Sequence, residues 1–260
     1  MRNSHFIEAN RQRWDATADI HAQQGFKELL ASVKSNDFNT LDTTARHLFA
    51  KLALANKSVA QLGCNNGIEL ISIKKLGTGR CVGFDISAPF IHQAEQLAAA
   101  AGVEMQFVCS AVDAIDAQFH AQFDMVFVSV GVLGWIPDLA DFFKVVNQLL
   151  KVGGSVLIYE MHPVLDMFDD VESKTMNASY FQKEPFVIDG EADYLDPSKT
   201  VDLRSYWFHH RLADVIGAAL AQQLTLRHFD EYAHDVSMSY AKFALSEPIP
   251  PMSYSAIFNK

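Results

Sequence analysis

The stretch Val59-Ala60-Gln61-Leu62-Gly63-Cys64-Asn65-Asn66-Gly67 decides how this chain is read. A short apolar run stops at Gly63, small and polar residues turn the chain, and Ile68-Glu69-Leu70-Ile71-Ser72-Ile73-Lys74-Lys75 continues as a helix. Strand, glycine-bounded turn and helix bring bare backbone up to a ligand. Glycine accepts positive φ and has no Cβ to block approach, and a helix start leaves N–H groups unpaired. A G-x-x-x-G turn is weak evidence by itself, so its meaning depends on the strands around it.

Outward from the turn, short apolar runs alternate with helical stretches. Residues 58–62, 80–85, 104–109, 123–129 and 155–160 read as strands. Helices are expected from Gly67, from Ser87 to Ala101 and from Asp138 to Leu150. This alternation predicts a doubly wound α/β fold, with mostly parallel strands joined by right-handed crossovers. Met125-Val126-Phe127-Val128 has the unbroken apolar character of a strand buried on both faces. In such sheets ligands bind beyond the carboxyl ends of the strands, which is where Gly63 stands.

The flanks differ from this core. Residues 1–56 are helical in pattern, with Phe6, Trp14, Ile20, Phe26 and Leu29-Leu30 on an apolar side and a second helix capped by Thr43-Thr44. Residues 163–206 are irregular, acidic and aromatic, with Phe168, Tyr180, Phe181, Phe186 and Tyr194. Residues 207–260 return to helical spacing from Trp207 and end in two strands near 224–229 and 253–258. The expected organisation is a helical cap (1–56), a binding core (57–162), a substrate-side insertion (163–206), and a closing helix and strand pair (207–260).

Composition narrows the function. An apolar fraction of 49% supports a substantial core, and a net charge of −10 argues against a nucleic-acid partner. No run has the roughly 20 apolar residues of a membrane span, and the first residues lack a signal-peptide core. Cys64, Cys81 and Cys109 lack metal-ligand spacing and read as reduced thiols, which predicts a cytoplasmic location. No metal is expected, since His209-His210 and Asp169-Asp170 are adjacent pairs and not separated ligands.

Asp85 follows the glycine turn by about the 20 residues expected of a carboxylate that binds ribose hydroxyls. At this point the chain resembles the class I S-adenosylmethionine (SAM)-dependent methyltransferases of the small-molecule type. In that family an acid stands two places before a G-x-G-x-G turn, where Gln61 and Gly63-Cys64-Asn65-Asn66-Gly67 stand here. The acid ending the second strand matches Asp85, and the adenine-side turn aligns with Cys109-Ser110-Ala111. Leu150-Lys151-Val152-Gly153-Gly154 before a strand is the most specific match.

The resemblance implies a seven-stranded Rossmann-like sheet and SAM as cofactor, leaving S-adenosylhomocysteine (SAH). The cofactor-binding set it implies is Gln61, Gly63, Cys64, Asn65, Gly67, Asp85, Ile86, Ser110, Ala111, Val112 and Ser129. It departs from the family pattern at Gln61 and Ser110, where acids are replaced and negative charge is lost near a cationic cofactor, and at Asn65, which stands for the middle glycine. Those departures motivate an alternative: a protein that binds SAM or SAH without transferring methyl. An NAD-dependent oxidoreductase fits less well, because the G-x-G-x-x-G spacing is absent.

The acceptor side is expected beyond the fourth and fifth strands. Trp135, Glu160, His162, Trp207 and His209 are the candidates there, with His162 as a base aimed by the strand end. Its competing reading is a structural histidine beside the Pro163 turn. His209 and His210 are expected at a helix start, where adjacent residues cannot share a face, and a solvent-exposed role is favoured for the pair. The expected partner is a small-molecule substrate; nucleic acid and membrane are not expected, and a homodimer is left open.

Overall fold

The computed structural model describes residues 3–168, 175–193, 195–196, 198–237, 239–240, 243 and 247–260. Asp169, Asp170 and Tyr194 lie outside the described residues.

Three helices come first: α1 (Ser4–Gln23), α2 (Phe26–Ser32) and α3 (Thr43–Leu52). The α3 cap is Asp42 and not a threonine, since its carboxylate accepts from the Ala45 N–H at 2.6 Å. The core follows as β1 (Val59–Leu62), α4 (Ile68–Lys75), β2 (Cys81–Asp85), α5 (Ala88–Ala101), β3 (Gln106–Cys109), β4 (Phe123–Val128), α6 (Leu139–Leu149) and β5 (Leu150–Met161). After it come β6 (Phe186–Ala192), β7 (Thr200–Trp207), α7 (Leu212–Ala221), β8 (Thr225–Tyr232) and β9 (Ser253–Asn259).

The main sheet has seven strands in the order β3-β2-β1-β4-β5-β9-β8. β1 pairs in parallel with β2 and β4, while β9 runs antiparallel between β5 and β8. The order reverses at β1, so the turn after β1 opens at the switch point where a crevice forms.

Side-chain alternation sorts the core into two layers. Ala60, Leu62, Val126, Val128, Val156 and Ile158 pack toward α6 and α7, with Phe143, Val146 and Val215. Val59, Met125, Phe127, Leu157 and Tyr159 pack the other way, against Leu48 and Phe49 of α3 and Leu70 and Ile73 of α4. Gln61 shares the second parity. A polar residue in a fully buried strand therefore faces α4.

The segment read as irregular contains a hairpin. β6 and β7 pair antiparallel as a separate two-stranded sheet, with Phe186 opposite Trp207 and a register shift between Asp189 and Glu191. Trp207 thus ends a strand, and the helix expected from it begins only at Leu212. Its helical spacing was carried by Leu212, Val215 and Leu220; the residues before them are extended. α1 lies against β7 and is tied to α5 by the Gln93 amide, which donates to the Ala18 carbonyl at 2.8 Å.

Candidate functional site

Between the carboxyl ends of the core strands, α1 and the β6–β7 hairpin lies a cleft of about 940 Å3. Gly63, Cys64, Asn65, Asp85, Ile86, Ser110, Ala111, Val112 and Ser129 all line it. Gln61 and Gly67 stand behind that lining, both buried.

The turn after β1 is shaped by sterics. Gly63 has φ +63°, and a Cβ there would come within 2.7 Å of Val132 Cγ2. Gly67 has φ +74°, and a Cβ would meet the Phe107 ring at 2.7 Å. Asn65, also at positive φ, keeps the turn in the left-handed region that asparagine tolerates. Its N–H donates to Asp85 Oδ2 at 2.7 Å, while Asp85 Oδ1 accepts from the Ser87 N–H at 2.9 Å. Burial raises the Asp85 pKa to about 6, against the pull of those main-chain donors. Each carboxylate oxygen retains a lone pair for a hydroxyl.

Gln61 is wholly buried, and its Nε2 donates to Glu69 Oε2 at 2.8 Å and to Ser129 Oγ at 3.2 Å. Glu69, in the first turn of α4, lines the cleft.

The acceptor-side candidates separate. Trp135 and Trp207 line the cleft. Their rings meet edge to face at 5.2 Å, and Trp14 of α1 meets Trp135 at 5.2 Å as well, so all three tryptophans of the chain form one wall. Trp207 Nε1 donates to Asp166 Oδ1 at 3.0 Å, which fixes the ring.

Glu160 and His162 do not line the cleft. Glu160 is buried and accepts from the N–H groups of Gly131, Leu133 and Met161. Burial raises its pKa to about 7, and its geometric role is to hold the loop after β4. His162, expected as a base, is 5% exposed with both ring nitrogens engaged. Its Nδ1 accepts from the Val164 N–H at 3.1 Å and its Nε2 lies 2.8 Å from Glu231. Burial lowers its pKa. The histidine is a cap on the turn at Pro163, and the position at a strand end did not aim it into the cleft.

His209 also departs from expectation. Its side chain is 1% exposed, with Nδ1 2.8 Å from Asp166 and Nε2 2.9 Å from the Tyr180 carbonyl. Burial pulls its pKa down, but the Asp166 carboxylate and the carbonyl outweigh that, and the net direction is up. His210 bonds the Ile136 carbonyl at 2.7 Å. The solvent-exposed reading of this pair is incorrect, because both rings tie the chain after β7 to its surroundings.

The sequence reading expected a helical cap here but did not name the α1 residues that reach the cleft. Asn10, Arg13, Trp14, Thr17 and His21 line the cleft, at the three- and four-residue spacing of one helix face. Arg13 Nη2 donates to Glu191 Oε2 at 2.8 Å, while Nη1 is buried without a hydrogen-bond partner. His21 Nε2 lies 3.1 Å from Asp193 Oδ2. The spacing was legible in the sequence; its direction was not.

Among the described residues, no group of three or more His, Cys, Asp or Glu is placed to hold a metal ion. Nor is any helix among them long and apolar enough to cross a membrane.

Comparisons agree with this geometry. A family model described as a methyltransferase domain matches residues 59–154. The tRNA U34 carboxymethyltransferase of Helicobacter acinonychis (strain Sheeba) is 30% identical over 108 residues, which is 41% of this chain and 41% of that protein. The fold resembles a crystal structure of an S-adenosylmethionine-dependent methyltransferase from Mesorhizobium loti, with TM-score 0.63, 19% identity, and coverage of 84% of this chain and 98% of that one. It also resembles geranyl diphosphate C-methyltransferase from Streptomyces coelicolor A3(2), solved with Mg2+, geranyl diphosphate and SAH, with TM-score 0.58, 12% identity, and coverage of 83% and 77%. The domain match spans the glycine turn, Asp85 and the first four strands, and the sheet order extends the agreement to the last strand. Residues 59–154 are thus similar to a methyltransferase domain, and the fold is the one seen in S-adenosylmethionine-dependent methyltransferases.

Proposed function

We propose that this protein transfers a methyl group from SAM to a small-molecule acceptor held under the tryptophan wall. The observation that carries the reading is the enclosure of the cleft by α1 and the β6–β7 hairpin on the acceptor side of the glycine turn.

The residues present fit the cofactor. The turn at Gly63 and Gly67 leaves no room for side chains. Asp85 offers acceptor lone pairs to the ribose, and Arg13 Nη1 lacks the acceptor atom that a ligand would supply. In this reading Ser110, Ala111 and Val112 border the adenine, with Ile86 beside the ribose. Bound SAM supplies an electrophilic methyl on a sulfonium, transferred by in-line displacement. The chain contributes alignment and exclusion of water. Trp14, Trp135 and Trp207 present flat apolar faces that fix the acceptor's orientation, and orientation supplies much of the rate in such reactions. His162 and His209 have both ring nitrogens occupied, so neither is assigned a proton transfer.

Charge favours a small molecule over RNA. Glu69, Asp85, Asp113, Asp166, Glu191 and Asp193 line the cleft, against Arg13 and His21. Phosphate contacts need the opposite balance. The likeness to a tRNA-modifying enzyme motivates including RNA in the test.

Calorimetry with SAH, followed by transfer from methyl-labelled SAM to a metabolite panel and to bulk tRNA, tests the reading. SAH binding and label in a small molecule are expected. Label in tRNA would overturn the acceptor class, and binding without turnover in either arm would replace the reading with a binding-only protein.

A further inference from the structure

The sequence departs from its family where an acid is expected at the end of β1, and the structure shows where a carboxylate stands instead. Period-two alternation turns Gln61 toward α4, whose first turn carries Glu69. Gln61 Nε2 donates to Glu69 Oε2 at 2.8 Å and to Ser129 Oγ, so one buried amide orients both side chains at the cleft floor. The Gln61 Oε1 is buried without a hydrogen-bond partner. Among the described residues no cation pairs with Glu69, although it lines the cleft together with Gly63, Cys64, Asn65 and Asn66.

We propose that Glu69 is the residue that receives the α-ammonium of the cofactor's methionine moiety, with Gln61 as its positioning residue. This rests on the reading of the cleft as a SAM site. A carboxylate that loses water to a bound ligand without gaining a cation is disfavoured, and an ammonium with three donors supplies both charge and hydrogen bonds. Burial already raises the Glu69 pKa, against the hydrogen bonds of Ser129 and Gln61, as expected of a carboxylate awaiting a cation. Negative charge is thus conserved in space while its address in the chain shifts by eight residues. The replacement at Gln61 then carries no loss of cofactor affinity.

Two ligands separate this role from a structural one. SAH carries the ammonium without a sulfonium; 5′-methylthioadenosine has the same nucleoside and no amino acid. By calorimetry, Glu69→Gln is expected to weaken SAH roughly ten- to hundredfold, the effect of losing one charge-assisted bond, and to leave methylthioadenosine unchanged. The double variant Gln61→Glu/Glu69→Gln, which moves the charge back to β1, is expected to recover most SAH affinity. Equal weakening of both ligands, or unchanged SAH affinity, would overturn the assignment. So would weakening of SAM alone, which would place the carboxylate at the sulfonium. If the wild-type protein binds neither ligand, the cofactor reading itself falls.

Discussion

Asn10 of α1 pairs with the main chain of Tyr206 in β7 as a neighbouring strand would: its Nδ2 donates to the Tyr206 carbonyl at 3.0 Å, and its Oδ1 accepts from the Tyr206 N–H at 2.8 Å. One side chain therefore closes the edge of the small sheet and joins the two parts of the cap, which lie 196 residues apart in sequence. Asn10 is itself 4% exposed, so water cannot replace it.

Asn10→Ala leaves both Tyr206 groups without partners, at a cost of about 1–3 kcal/mol. A lower melting temperature and a raised acceptor KM are expected, with SAH affinity changed far less. Thermal unfolding and calorimetry on the same variant check this; equal loss of both affinities would mean that α1 supports the whole cleft.

Gly134 has no room for a side chain. A Cβ there would lie 2.2 Å from Trp207 Cζ2, and that ring cannot swing freely because its Nε1 is tied to Asp166. Gly134→Ala should therefore destabilise the fold by about 1–3 kcal/mol, as overpacking does, and displace one tryptophan of the wall. Tryptophan fluorescence should shift, and turnover should fall more than SAH affinity.

Asp85 predicts a pH dependence of cofactor affinity. Its pKa in the free protein is raised to about 6, chiefly by burial. In the proposed site, ribose hydroxyls would donate to the ionised form, so binding would favour the carboxylate and lower its pKa. Affinity for SAH should be full above that value and should fall as pH drops through about 6, by up to about tenfold per unit. Asp85→Asn should flatten this profile. Asp85→Ala should weaken binding by roughly 1.5–3 kcal/mol at neutral pH.

His209 predicts a pH dependence of stability. Both of its ring nitrogens face acceptors, Asp166 Oδ2 and the Tyr180 carbonyl, so the folded state prefers the imidazolium. Its folded pKa is raised above the ordinary 6.5. The folded state then binds the proton more tightly, and the stabilisation is complete below 6.5 and lost as pH rises through the folded value. Denaturant unfolding of wild type and His209→Gln should show a gap that narrows toward alkaline pH. Asp166→Ala, which breaks a buried pair and frees Trp207, should cost on the order of 3 kcal/mol near neutrality.

The parallel core was legible because its signals are local. Apolar runs such as Met125-Val126-Phe127-Val128 state their own burial, and Gly63 and Gly67 sit at positive φ where other residues are strained. Asp85 was legible by its distance from that turn, since a strand and a helix of ordinary length fix where the next strand ends.

A cap was expected, but its internal structure was not legible. Residues 186–192 and 200–207 form a hairpin whose exposed face carries Val187 and Asp189, and a register shift before Glu191 turns that residue into the cleft, so its alternation is broken. His162 and Glu160 stand at a strand end, as a catalytic pair would, yet Glu231 and three main-chain N–H groups claim them. Those partners lie in distant segments, and a side chain's partner determines whether it is free to react.

What the sequence alone determined is the sheet, the glycine turn and the carboxylate at Asp85, because periodicity and spacing along one chain are enough to specify them. Tertiary structure decided the rest. It brought Trp14, Trp135 and Trp207 into one wall, joined Asn10 to Tyr206, and set Gln61 against Glu69. The physical reason is direction: sequence gives the spacing of side chains along an element, and only packing fixes which way each face is turned.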